Sequence, residues 1–235
     1  CTETMAQNPK LLNAWESLKS VSTTSPISLA YRIRIAVFAE EIAQVRRDAS
    51  LLTKWIARAD RSQPGYIVEL SYAMWALGRA ADAGVTVDQQ VWRNVATDLL
   101  KKQKSDGQWE DRYYEDDLAT LAGALSLYCA AKQVDGQQSA VFVRAADRAL
   151  TWTDGSLQRD GLPKLRSTMV LALWQRAWIA KGVPERNAAK RYYGGLDHIG
   201  DHINEAGRYL PFAVNGSLFD TAYALMFASW HGASI

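Results

Sequence analysis

Cysteine is scarce in this chain, and no stretch of it stays apolar for long. The two cysteines, Cys1 and Cys129, cannot make a metal site by themselves and show no C-x-x-C spacing. Apolar runs such as Leu118 to Ala131 stop short of the roughly 20 residues that a bilayer-crossing helix needs. Net charge is also lacking: the formal balance is +2, with basic residues scattered as Arg32, Arg34, Arg46, Arg47, Lys101 and Lys102, so nothing argues for nucleic acid. No Pro/Gly/Ser-rich linker divides the 235 residues. One domain over 8–235 is therefore expected, with 1–7 as a tail or tether. Hydrophobic residues at 48% and charged residues at 22% are the proportions of an ordinary globular chain with a real core.

What is present is helical periodicity, repeated. Apolar positions such as Val91, Trp92, Val95, Leu99 and Leu100 fall at helical spacing, and turn residues interrupt the pattern about every 40 to 50 residues. Five helix pairs can be drawn. The first joins a helix near Pro9 to Leu18, through Ser25-Pro26, to a long helix from about Ile27 to Arg47. The second joins Ala49–Arg58, through Ser62-Gln63-Pro64-Gly65, to Tyr66–Ala83. The third joins Asp88–Gln103 to Asp116–Lys132. The fourth joins Ser139–Thr151, through turns at Asp154-Gly155 and Asp160-Gly161, to Arg166–Lys181. The fifth joins Pro184–Gly200 to Leu218–Trp230. Gly84, Gly136 and Gly182 suit helix stops, and Pro184 suits a first turn. The second helix of each pair is the more apolar, which predicts an inner set of buried helices and an outer set of charged ones. No strand is needed.

Between the helices of the third pair the chain reads Gln103-Lys104-Ser105-Asp106-Gly107-Gln108-Trp109, a Q-x-x-x-G-x-W pattern. It resembles the QW repeat of the terpenoid cyclase and protein prenyltransferase superfamily, in which the Gln ties off an outer helix, the Gly permits a turn and the Trp packs on the next helix. The segment Asn215-Gly216-Ser217-Leu218-Phe219-Asp220-Thr221 is similar to that superfamily's closing repeat. The resemblance implies an all-α fold, an α/α toroid of about five helical hairpins. It also implies a site in the central cavity, at the end where loops enter the inner helices.

Three groups of residues are candidates for that site. Asp116 and Asp117 sit where class II terpene cyclases carry D-x-D-D, whose middle Asp is a general acid, but Tyr114-Glu115-Asp116-Asp117 matches only in part. The same carboxylates are better accounted for as N-cap and first-turn residues at the positive end of a helix. The aromatic set Trp75, Trp109, Tyr128, Trp174, Trp178, Tyr223 and Trp230 can line a ligand cavity or simply fill a core. The polar segment from His198 to Tyr209 offers His198 and His202 at i, i+4 with Asp201 and Glu205 nearby. A lyase acting on an acidic polysaccharide would use His202 and Tyr209, with Arg208 or Asn204 neutralising the substrate carboxylate. A solvated helix end accounts for the same residues, and no metal or cofactor is expected.

Relatives of the toroid are excluded by what is missing. Zinc prenyltransferases need an Asp, a Cys and a His on the metal, and Cys129 has no matching Asp-x-Cys. Cys129 lies in an apolar run and is expected to be a buried, inert thiol. Ser229-Trp230-His231-Gly232 lacks the Cys of lanthionine cyclases, and Cys1-Thr2-Glu3-Thr4 lacks the Gln of a thioester domain. Cys1 followed by polar residues has the form of a processed bacterial lipoprotein, and a trimmed start gives the same sequence. The functional expectation is an extracytoplasmic domain, lipid-anchored in the periplasm through Cys1, that binds an isoprenoid-like or carbohydrate ligand in an aromatic-lined cavity. Its alternatives are a cyclase-like or lyase-like enzyme in the same cavity, or a protein-interaction module using the outer surface.

Overall fold

Ser25 and Pro26 begin a helix as their chemistry dictates: the Ser25 side chain accepts a hydrogen bond from the Ser28 amide, and Pro26 occupies the first helical turn. The computed structural model describes residues 9–114, 116–160 and 168–182. Over these residues the helices are α1 (Pro9–Ser20), α2 (Pro26–Phe38), α3 (Ile42–Arg58), α4 (Tyr66–Asp82), α5 (Gln89–Lys102), α6 (Asp116–Ala131), α7 (Gly136–Asp160) and α8 (Thr168–Lys181). No strand occurs among the described residues, so the fold is all-α.

The helices form two rows. Helices α2, α4, α6 and α8 pack side by side in that order as an inner row. Helices α3, α5 and α7 lie outside them, α3 against α2 and α4, α5 against α6, and α7 against α6 and α8, each in contact with the next outer helix. Sequence dictates which row a helix joins. In α6 every residue from Leu118 to Ala131 is buried, so no face is left for water, and Ala119, Ala122, Gly123 and Ala124 are small enough for neighbours to close in. In α5 only Trp92, Val95, Ala96 and Leu99 are buried, a single stripe at helical spacing. Short connections reverse the chain between rows, so the inner helices run parallel and their C-terminal ends gather on one side.

Three expectations about the elements are corrected. The long helix from Ile27 to Arg47 is broken at Ala39-Glu40-Glu41, and Ala49–Arg58 is the second half of α3. Glu40 takes a left-handed φ of 59°, and the Glu40 and Glu41 amides bond back to the carbonyls of Val37 and Ala36. The reversal is clamped by a buried ion pair: Arg32 on α2 donates twice to Asp48 on α3, at 2.7 Å each, and Gln44 adds a third donor. The first complete pair is thus α2 with α3. Asp154-Gly155 is not a turn either, because α7 runs on to Asp160. Buried Ala145, Ala146, Ala149, Leu150, Thr153 and Ser156 keep helical spacing past the point where the Asp-Gly pair suggests a stop. Gly136, read as a stop, is the first residue of α7. The pair Pro184–Gly200 and Leu218–Trp230 lies outside the described residues.

Candidate functional site

The Gln103–Trp109 segment is built for structure. Gln103 caps α5, and its side-chain amide donates to the carbonyls of Gly107 and Ala145 while its oxygen accepts from Arg148. One side chain thus joins the end of α5, the turn and α7. Gly107 has φ +104°, and a Cβ there would meet the Arg148 backbone at 2.8 Å. Trp109 is wholly buried, donates its indole N–H to the Leu99 carbonyl and presses its ring on α6 at Gly123. Each job expected of the Q-x-x-x-G-x-W pattern is done, and Trp109 is enclosed rather than facing a ligand.

The loops that enter α4 and α6 are tied together at the same end. The Asp111 carboxylate accepts from the amides of Gly65, Tyr113 and Tyr114, and the Tyr114 ring packs over Gly65. Asp116 is exposed and Asp117 half-buried, both in the first turn of α6 as capping carboxylates would be.

A cavity of about 400 Å³ opens at the opposite end. It is lined by the C-terminal halves of all four inner helices: Arg34 from α2, Trp75, Gly78, Arg79 and Asp82 from α4, Leu125 and Cys129 from α6, and Arg176, Ile179 and Ala180 from α8, with Lys132 and Gln133 just beyond α6. This cavity therefore lies at the far end from the one at which the superfamily resemblance implies a site. Asp117 and Cys129 are twelve residues apart on one helix, about 18 Å at a helical rise of 1.5 Å per residue, so no acid on the first turn of α6 reaches this cavity.

Trp75 organises the cavity's charge. The Arg176 guanidinium lies over its ring at 4.2 Å from the centroid and that of Arg34 at 5.6 Å. Burial first, and then the like charges of Arg176 and Arg79, hold the pKa of Arg34 below its ordinary value despite the opposing effect of Tyr31. The shift is not enough to discharge a guanidinium at physiological pH, so Arg34 stays a cation. Arg79 and Lys132 add two exposed cations at the rim, where Asp82 pairs with Arg79 at 3.7 Å. Some of this charge suits helix C-termini, which carry partial negative charge. Cys129 forms part of the wall, and burial pushes its thiol pKa up to about 12, so it is no nucleophile.

Of the aromatic residues singled out from sequence, Trp75 alone among those described lines the cavity. Tyr128 is buried and donates to Asp147, which also pairs with Lys181; burial and then that carboxylate raise the phenol pKa. Trp174 donates to Asp154 on α7, and Trp178 lies beneath Lys181. Cys1, His198, Asp201, His202, Asn204, Glu205, Arg208, Tyr209, Tyr223 and Trp230 lie outside the described residues. Sequence reasoning missed Arg34 and Arg176. The available signal was a cation set within a helix otherwise apolar at that point, Arg34 between Ile33 and Ile35 and Arg176 between Trp174 and Trp178. Among the described residues no group of His, Cys, Asp and Glu is placed to hold a metal ion. No family model, curated protein or solved structure matches this chain.

Proposed function

We propose that the chain is a ligand-binding domain whose two rows of helices continue as an α/α toroid, and that the cavity at the C-terminal ends of the inner helices takes an acidic carbohydrate. The observation that carries this reading is the placement of Arg34 and Arg176 over the ring of Trp75 inside a cavity of about 400 Å³. An aromatic ring that fixes two guanidiniums spares a ligand much of the cost of ordering them, and guanidinium matches a carboxylate in bidentate geometry. Leu125, Ile179 and Ala180 supply the apolar part of the wall that the faces of a sugar ring need. The volume lies at the lower end of small-ligand pockets and suits a mono- or disaccharide rather than a long isoprenoid tail. A hydrocarbon without an acid group would also bury the two guanidiniums and offer them nothing.

Tryptophan fluorescence during titration with a uronic-acid disaccharide, its neutral counterpart and a polyprenyl alcohol tests this reading. The expected result is a saturable change with the acidic sugar only, lost in Trp75→Phe and weakened at least about tenfold in Arg176→Gln, since a hydrogen bond to a charged group contributes about 1.5–3 kcal/mol. Equal affinity for the neutral sugar, or saturation by the polyprenyl compound alone, would show that the cavity does not read an acid.

A further inference from the structure

The inner row contains two glycines within helices, Gly78 in α4 and Gly123 in α6, and their surroundings differ. Gly123 is dictated by packing: a Cβ there would sit 2.7 Å from the Trp109 ring. Gly78 is not. Its φ lies outside the left-handed range, and among the described residues the nearest atom to a Cβ is the Cys129 sulfur at 4.0 Å, ordinary contact distance. A glycine inside a helix costs stability relative to alanine because it leaves more backbone freedom to lose on folding. Helix formation and close packing therefore both leave room for a larger residue at 78. What Gly78 does have is a place in the cavity wall, one turn from Trp75 on the same helix.

We propose that Gly78 is the residue that sets which ligands the cavity accepts: its bare backbone forms the seat against which the sugar ring lies while the acid group reaches Arg34 and Arg176. The proposal rests on the acidic-carbohydrate reading above and adds a size limit to it. A side chain at 78 projects into the volume that the ring occupies. A methyl group crowds the ring, and a leucine fills the seat. The ligand is thus a ring with one acid group, closely fitted on the face turned to α4.

Gly78→Ala and Gly78→Leu separate a binding role from a structural one, because the two roles predict opposite signs. Melting without ligand should rise by about 2–4 °C for Gly78→Ala, the shift that about 1 kcal/mol of helix propensity gives a chain of this size. Affinity for the uronic-acid disaccharide, followed by fluorescence, should fall about tenfold in Gly78→Ala and beyond detection in Gly78→Leu, with both variants still cooperatively folded. Wild-type binding with unchanged affinity in a folded Gly78→Leu would overturn the role of Gly78 and leave the acidic-sugar reading standing. Absence of binding by the wild type would overturn that reading and this proposal with it. Loss of melting temperature in Gly78→Ala would show that the glycine is held by packing, and would overturn the proposal as well.

Discussion

Asp48 is fully buried and Arg32 nearly so, and their two hydrogen bonds at 2.7 Å leave each charge dependent on the other. Breaking such a pair from one side strands the remaining charge in a low-dielectric interior, at a cost of about 3–5 kcal/mol. Asp48→Asn should therefore lower the urea midpoint by that amount of stability while keeping the unfolding slope. A loss below about 1 kcal/mol would mean that water reaches Arg32 once the carboxylate is gone. Gly123 gives a second residue-scale expectation. With a Cβ held 2.7 Å from Trp109, Gly123→Ala forces the indole or α6 to shift, and overpacking of this kind costs about 1–3 kcal/mol. Thermal melting should show a loss there, opposite in sign to the gain at Gly78. An unchanged melting temperature would mean that the Trp109 ring has room to move.

Among the elements, α1 is docked through a single carboxylate that sits at the break between α2 and α3. Glu41, just before α3, accepts from the indole of Trp15 at 2.6 Å and from Lys19 at 3.0 Å, so both α1 side chains dock on it. Burial pulls its pKa up, but the hydrogen bonds from Trp15 and Lys19 together win, and the folded pKa lies below the ordinary 4.5. The carboxylate therefore stabilises the fold fully above about pH 4.5, and the contribution fades as pH falls through the depressed folded value. Glu41→Gln removes the acid-labile charge. Compared with the wild type, the variant should melt lower at pH 7, and the gap should narrow as pH drops below 4.5. A gap that stays constant with pH would show that Glu41 acts through shape rather than charge. The same region marks a limit of the sequence. Ala39-Glu40-Glu41 contains no glycine or proline, so a helix reversal there is invisible to turn chemistry. What makes it is the pairing of Arg32 with Asp48, sixteen residues apart, a contact that periodicity cannot register. By contrast, Gln103, Gly107 and Trp109 were legible because they fall at a fixed local spacing around one turn: a helix end, a left-handed glycine and an aromatic anchor.

At the scale of the whole molecule, the two rows were legible in the all-round apolarity of α6 against the single buried stripe of α5, whereas the cavity was not. Its position depends on which ends of four parallel helices come together, and its charge on Arg34 and Arg176, separated by more than 140 residues and brought together over Trp75. Cys129 turns this architecture into a measurable quantity. It lies in α6, one of the two middle helices of the inner row, against the cavity, with its thiol pKa pushed up to about 12 by burial. At pH 8 only about one thiol in ten thousand is then ionised, against about one in four for an unfolded cysteine of pKa near 8.5. A thiol reagent attacks the thiolate, so in a Cys1→Ser background native Cys129 should label about a thousandfold or more slower than in urea. The native rate should climb nearly tenfold per pH unit through the alkaline range in which the fold survives. A native rate within tenfold of the unfolded one would mean that α6 opens readily or that solvent fills the cavity as far as the sulfur. Since the ligand would sit against the same wall, saturating uronic-acid disaccharide should slow the residual labelling further. An unchanged native rate at saturating disaccharide would argue against a sugar bound along this wall, because a ligand seated there would both cover the sulfur and hold α6 closed.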